Sequence, residues 1–480
     1  MRKLPWRLPR LAANFAALSA AEFISKILVA LAFAYLARVL GPEVYGHLEF
    51  TLAIIFLFTL VVDTGLGTYG AREIAKDAVD IKFIARHILL TRALLALTAY
   101  GLLAGVVLLI DKPWAVKQLL LLYGLTLLGL PGVMQWVFQG RDMMPYVALA
   151  SVVRWFVFVA GVFLLVRSDT PFWVLALVEG LAVTGFVGYY TVVFVRHFGW
   201  PWGRIDAGYL WNIFRQSLPI GASELVWAIK IYFATVLLGL MIAGPEVGWF
   251  GAAHRLVIAL HTFVFLYFFN LLPSIARTSQ GRPDDLRRLL GTSLQLTAWL
   301  AVFIGVTGTV FAKPAIALLY GSEYQQTAVV FRVLIWLIPL TLMSNHFQFT
   351  LIGYNRQQMQ FGVALVGAVI NIGLSLVLIP RFGLEGAAWA IIISEIVIWA
   401  VAWFLIRRHV AHIPVWGFIY RPLAAGAVLV GVVLLLPGVN IWLMGATTVA
   451  VYGLALALIQ PRLLLDVRAM LIPDGTSAGN

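Results

Sequence analysis

Ala93-Leu94-Leu95-Ala96-Leu97-Thr98-Ala99-Tyr100-Gly101-Leu102-Leu103-Ala104-Gly105-Val106-Val107-Leu108-Leu109-Ile110 decides the fold. No charge interrupts the stretch and its apolar residues do not alternate with polar ones, so it reads as helix and not as strand. At about 1.5 Å per residue it reaches roughly 27 Å, close to the ~30 Å of a bilayer's hydrocarbon core. Similar stretches recur throughout the chain. Of its 480 residues, 62% are apolar and 11% charged, against about 45–50% and 25% in soluble domains. Such a chain is dissolved in lipid, and the fold class is an all-α integral membrane protein. Disorder and disulfide-knit secreted scaffolds are excluded on the same composition. The absence of cysteine removes thiol catalysis and Cys-based zinc sites.

Fourteen spans are predicted, at 12–38, 47–67, 84–110, 116–139, 147–166, 171–195, 211–241, 247–273, 289–311, 328–352, 358–379, 385–406, 418–436 and 440–460. The first is too long for a cleaved signal peptide and carries no small-residue cleavage site, so it is expected to stay. With the N-terminus in the cytoplasm, 22 of the 34 Lys and Arg fall in cytoplasmic segments, six on the opposite side and six inside spans. The positive-inside rule therefore predicts a multi-pass protein of the cytoplasmic (inner) membrane with both termini in the cytoplasm. The net charge of +13 needs no nucleic acid, since it faces anionic membrane lipids.

Gly41-Pro42-Glu43-Val44, between spans 1 and 2, returns as Gly244-Pro245-Glu246-Val247 between spans 7 and 8. Both copies make an outer hairpin followed, one span later, by a basic cytoplasmic segment. Six spans per copy keep the orientation, which predicts two parallel-repeat six-helix lobes, a transporter architecture. The lobes are expected at 1–198 and 211–410, joined by a linker at 199–210. Residues 411–480 supply two additional helices and a cytoplasmic tail. No phosphate-binding Gly-Lys loop, Gly-x-Ser-x-Gly elbow or His-Glu-x-x-His helix occurs, and the outer loop around 313–326 is short, so no enzyme is expected.

Leu36-Ala37-Arg38-Val39-Leu40-Gly41-Pro42-Glu43-Val44-Tyr45-Gly46 resembles the first hairpin of the lipid-linked oligosaccharide flippases of the O-antigen type. These are the polysaccharide transporters of the multidrug/oligosaccharidyl-lipid/polysaccharide superfamily. Asp63-Thr64-Gly65-Leu66-Gly67, Ser217-Leu218-Pro219, Ala252-Ala253-His254-Arg255-Leu256, Leu319-Tyr320-Gly321 and the run from Leu378 to Ala388 are similar in the same order, with Ser394-Glu395 after them. The likeness spans roughly residues 12–410. It implies two lobes around a cavity lined mainly by spans 1, 2, 7 and 8. It also implies outward transfer of a polyprenyl-pyrophosphate-linked glycan by alternating access, with membrane lipids around the chain and glycan polymerases or ligases as candidate partners.

A charge near the bilayer centre costs at least ~2.5–3.5 kcal/mol on insertion scales and normally faces protein or water. Arg255, 11 residues past Gly244, sits roughly 16 Å below the outer hairpin and is the first candidate for the pyrophosphate, with a structural ion pair to Glu224 or Glu179 as its alternative. Lys26 and Lys230 lie at equivalent depths in the two lobes. With their companions Glu22 and Glu224 they would form a polar belt that receives the headgroup; alternatively both lysines snorkel to the inner headgroups. Arg154 joins this substrate-binding group, with an inter-helix ion pair or snorkelling as its alternative. Arg92 is read as an inter-helix pair or a snorkelling cation, and Asp63 as a cap or gate contact at the cytoplasmic end of span 2. Glu179 and Glu395, single carboxylates in spans 6 and 12, are the candidates for coupling to H⁺ or Na⁺; a structural pair is again the alternative. His254 and His261 share a helix face without a third ligand, so no metal is expected and no cofactor is implied. Trp155, Trp227, Trp299 and Trp336 are read as space-filling or as stacking on sugar rings. Two rival functions stay open, a cation-coupled drug exporter of the same superfamily and a membrane glycosyltransferase or polymerase.

Overall fold

The computed structural model describes the backbone of residues 8–76, 80–242, 244–279, 281, 283–436, 440–461 and 463, with side chains from Ile27 onward except that of Pro283. Glu22 and Lys26 lie outside the residues whose side chains are described. The described residues are helical throughout, in sixteen α-helices joined by turns and three short 3₁₀ segments. Among the described residues, twelve helical segments are long and apolar enough to cross a membrane. Two of them, α1 (Leu8–Asp63) and α14 (Gln357–His409), are each broken once, at Gly41 (φ 72°) and Gly383 (φ 55°), and so supply two spans apiece. The fourteen expected spans are accounted for.

The chain forms two compact units, Met1–Ala252 and Ala253–Asn480. The first is built on the second half of α1, which packs against α3 (Ile81–Leu109), α6 (Met144–Leu165) and α8 (Ala207–Met241). Its outer hairpin follows from local chemistry. Gly41 takes a left-handed φ that a side chain would strain, Pro42 opens the next helix without needing an N–H partner, and Glu43 sits in the first turn where the helix dipole favours an anion. Gly244 (φ 101°), Pro245 and Glu246 repeat the device at the start of α9 (Glu246–Thr278). The two copies meet: a Cβ on Gly46 would lie 2.7 Å from the Gly248 nitrogen, and one on Gly248 would collide with the Pro42 carbonyl.

Residues 199–206, expected as a linker between lobes, are pinned within the first unit. Gly199 (φ 76°) ends α7 (Phe172–Phe198). The Arg86 guanidinium donates to the Trp202 carbonyl at 3.1 Å, and the Asp206 N–H donates to His87 Nε2 at 3.0 Å. Asp206 then caps α8 through the Tyr209 N–H at 3.1 Å, and α8 packs on α1 and on α2 (Leu66–Ala75).

In the second unit α13 (Leu337–Gly353) lies against α10 (Pro283–Val310) and α14, and residues 341–351 are buried on every face. The expected outer loop at 313–326 is mostly helical, as α11 (Ala312–Tyr320) and the start of α12 (Gln325–Leu334). The two additional helices, α15 (Trp416–Leu434) and α16 (Ile441–Ile459), dock on α10. Trp299 Nε1 donates to Gln460 Oε1 at 2.6 Å and the Tyr452 hydroxyl donates to the Trp299 carbonyl at 2.9 Å.

Gly248→Ala should lower the thermal midpoint of the purified protein, since overpacking a closed contact costs about 1–3 kcal/mol. Gly101, with open space where its Cβ would be, should tolerate alanine. Equal midpoints for the two variants would contradict the hairpin contact.

Candidate functional site

Span 2 does not end where its sequence suggests. The helix breaks after Asp63, with Thr64 (φ 44°) and Gly65 (φ 75°) both left-handed, and resumes as α2 for ten more residues, roughly 15 Å. The break is held by close approach to α8: a Cβ on Gly65 would lie 2.6 Å from the Gly221 nitrogen. α2 then runs antiparallel to α3, with Gly67 beside Arg92 and Gly70 beside Ile88. Asp63 is therefore inside the bundle, at the depth of Arg92, and not at its cytoplasmic end. Arg92 is 11 residues into α3, roughly 16 Å from that helix's start.

Four elements converge on this pair. Arg92, 6% exposed, forms an ion pair with Asp63 through Nη2. Its Nη1 donates to the Val133 carbonyl at 2.9 Å. That carbonyl follows the stretch where Pro131 and two 3₁₀ segments interrupt span 4, because proline lacks the donor a continuous helix needs. Asp63 Oδ1 also accepts the Gly67 N–H at 3.1 Å, capping the new helix. A side chain at residue 67 would press on the guanidinium, which explains glycine there. Thr68 donates to Glu224 at 3.4 Å and brings a second carboxylate beside the pair.

Beside the pair opens a cavity of about 310 Å³. Asp63, Thr68 and Arg92 line it together with Gln135, Trp136 and Gln139 of the short helix α5 (Gln135–Gly140). Arg92 Nε and Trp136 Nε1 are buried without a hydrogen-bond partner. Sequence reading passed over both glutamines and this tryptophan. Their only signal was Gln135-Trp136-Val137-Phe138-Gln139, two amides one turn apart in a membrane span.

The structure joins Arg154 to Glu179 as a pair at 3.0 Å between α6 and α7, with the guanidinium over the rings of Trp155 (5.0 Å) and Phe186 (5.4 Å). Lys230 and Arg255 are half-buried within α8 and α9. Glu395 is 1% exposed and accepts the Ser344 hydroxyl at 2.6 Å, while Gln348 donates to Ser344 at 3.0 Å and to Asn345 at 3.2 Å. Ser394, the residue before Glu395, accepts from Asn371 at 3.3 Å across the Gly383 bend of α14. Asn371 Oδ1 and Ser375 Oγ are buried without partners. Of the four named tryptophans, Trp299 and Trp336 are tied to Gln460 and Thr309. Trp155 sits under Arg154, and Trp227 packs near Phe56.

Residues 11–279 match the family of polysaccharide biosynthesis proteins, more than half of the chain, and residues 276–377 match the MatE family. A protein of Escherichia coli (strain K12) named as an O-antigen transporter is 24% identical over 80% of this chain and 93% of its own length. One of the same name from Shigella dysenteriae is 22% identical over 76% and 92%. Among solved structures, the lipid II flippase MurJ in an inward closed conformation superposes with a TM-score of 0.77 at 13% identity, covering 93% of this chain and 99% of its own. An inward-facing multidrug transporter of the MATE family gives 0.64 at 15% identity, over 83% and 98%.

Asp63→Ala should destabilise the protein toward the low end of the roughly 3–5 kcal/mol seen when one partner of a buried pair is removed, because the carboxylate is itself a third exposed. Asp63→Ala combined with Arg92→Met should recover most of that loss. Additive losses in a denaturation cycle would contradict the pair.

Proposed function

We propose that this chain, which belongs to the polysaccharide biosynthesis protein family, is a flippase for a polyprenyl-pyrophosphate-linked oligosaccharide, carrying it from the cytoplasmic to the outer leaflet by alternating access. What carries this reading is the family match together with a fold shared over nearly the whole length with a lipid flippase. The two full-length relatives are named for O-antigen transport. The inner membrane, with both termini in the cytoplasm, is the location that the charge asymmetry supports.

The physical demands match this cargo. A pyrophosphate needs cations away from bulk water, where a guanidinium or ammonium binds it strongly. Arg255 is assigned that contact, with Lys230, Lys26, Glu224 and Glu22 shaping the polar approach. Moving two negative charges outward across an inside-negative membrane is favourable by about 2.3 kcal/mol per charge per 100 mV. Further drive is assigned to H⁺ or Na⁺ entry through Glu395, whose carboxylate lies in a buried network of hydroxyls and amides. Glu179 is set aside as the coupling group because Arg154 already holds it. No cofactor takes part, and glycan polymerases or ligases are the proposed partners. A drug exporter is the second reading, favoured by the MATE-like fold; an acid- and aromatic-rich site would suit organic cations better than this set of arginines and lysines.

In proteoliposomes loaded with a fluorescent polyprenyl-pyrophosphate sugar, the purified protein should expose the headgroup to the opposite leaflet. Arg255→Ala should abolish that transfer while still inserting in the membrane; full activity of the variant would remove Arg255 from the site. Glu395→Gln should leave residual transfer that no longer responds to a proton or Na⁺ gradient, and an unchanged response would exclude this carboxylate from coupling.

A further inference from the structure

The cavity beside Asp63 and Arg92 has a chemistry that the pyrophosphate does not need. Its guanidinium is already committed, Nη2 to Asp63 and Nη1 to the Val133 carbonyl, so an incoming phosphate would meet a carboxylate as well as a cation. A cation would in turn meet Arg92. Of the side chains that line the cavity, only Asp63 and Arg92 are charged and each is held against the other, while Glu224 stands behind Thr68 outside the lining, so the pocket favours a ligand without net charge.

The remaining polar groups suit hydroxyls. Gln135 and Gln139 are four apart on α5, hence on one helix face, and both line the cavity. Each amide offers donors and an acceptor, as a sugar hydroxyl does. Neither amide makes a side-chain hydrogen bond among the described residues. Trp136 adds an aromatic wall and an unpartnered buried Nε1 donor, and Arg92 Nε is a second such donor. Leu60 and Val62 supply an apolar side. At about 310 Å³ the cavity is at the small end of ligand pockets, which run ~300–1,000 Å³, a size for a single pyranose ring and not for a chain.

We infer that this cavity binds one neutral sugar residue, with Gln135 and Gln139 as its hydrogen-bonding wall and Trp136 beside the ring. The natural ligand, a sugar of the transported glycan, rests on the flippase reading; the recognition chemistry stands on the cavity alone. A pocket of this kind makes the first unit a selector of sugar type, separate from the cations assigned to the pyrophosphate.

The test uses the full-length protein in detergent micelles with four probes, the methyl glycosides of glucose, galactose, N-acetylglucosamine and rhamnose, read by saturation-transfer NMR. At least one glycoside should show transfer from the protein, and inorganic pyrophosphate should not compete with it. Gln135→Ala combined with Gln139→Ala should weaken binding about tenfold, the effect of losing two hydrogen bonds. The exposed pair Gln325→Ala with Gln326→Ala should leave it unchanged. Should the double variant not be recovered folded, the near-isosteric Gln139→Met carries the test, with a smaller loss in the same direction. Absence of transfer from all four glycosides, equal binding by the cavity variants, or competition by pyrophosphate would overturn the assignment. Transfer of lipid-linked sugar by wild-type proteoliposomes is scored alongside. If it occurs without glycoside binding, the cavity assignment falls and the flippase stands; glycoside binding without transfer gives the reverse.

Discussion

A guanidinium about 16 Å inside a membrane helix must find a counter-charge or leave the bilayer, and much of the first unit's local structure answers that demand. Arg92 is neutralised by Asp63, and Asp63 reaches it because the second span breaks at Thr64 and Gly65. The fourth span breaks at Pro131 and leaves a carbonyl for the other guanidinium nitrogen. Irregular backbone at membrane depth is tolerated only where it is buried in protein or lines a polar cavity. Here it does both, and the cavity beside the pair is the result.

Glycine makes these departures from regular helix feasible. At Gly65 it permits a left-handed residue and contact with Gly221; at Gly67 it leaves room for the guanidinium. At the outer end Gly46 and Gly248 let the two copies of the hairpin touch backbone to backbone. In lipid there is little hydrophobic drive between helices, so small residues that permit close packing carry much of the association. The second unit solves the same problem differently. Its central helix α13 is wrapped on all sides, and its serine, asparagine, histidine and glutamine side chains are satisfied inside the protein, with His346 bonded to Ser293 at 2.7 Å and Glu395 bonded to Ser344.

The spans were legible because length and apolarity in a bilayer leave helix as the default, and the hairpins because Gly-Pro-Glu encodes a break, a helix start and a dipole contact in three residues. The depth of Asp63 was not legible. Its span reads as finished at residue 67, and nothing local shows that the helix breaks at Thr64-Gly65 and that Leu66–Ala75 continues alongside α3. An inter-helix pair was one reading of Arg154, but Glu179 as its partner was not legible, since a sequence gives the depth of a charge and not the helix it faces. Gln135, Trp136 and Gln139 escaped notice because a neutral amide carries no charge to flag it, although its burial in a span is nearly as demanding.

The central claim is that the first unit holds a water-accessible polar cavity at membrane depth. Because the chain has no cysteine, single cysteines report cleanly. Thr68→Cys, at the cavity, should react with a small membrane-impermeant thiol reagent applied to the cytoplasmic face of inverted vesicles, and Leu97→Cys, exposed on the α3 surface, should not. Equal protection of both positions would mean that Asp63 and Arg92 are sealed in a dry pair, and the account would fail.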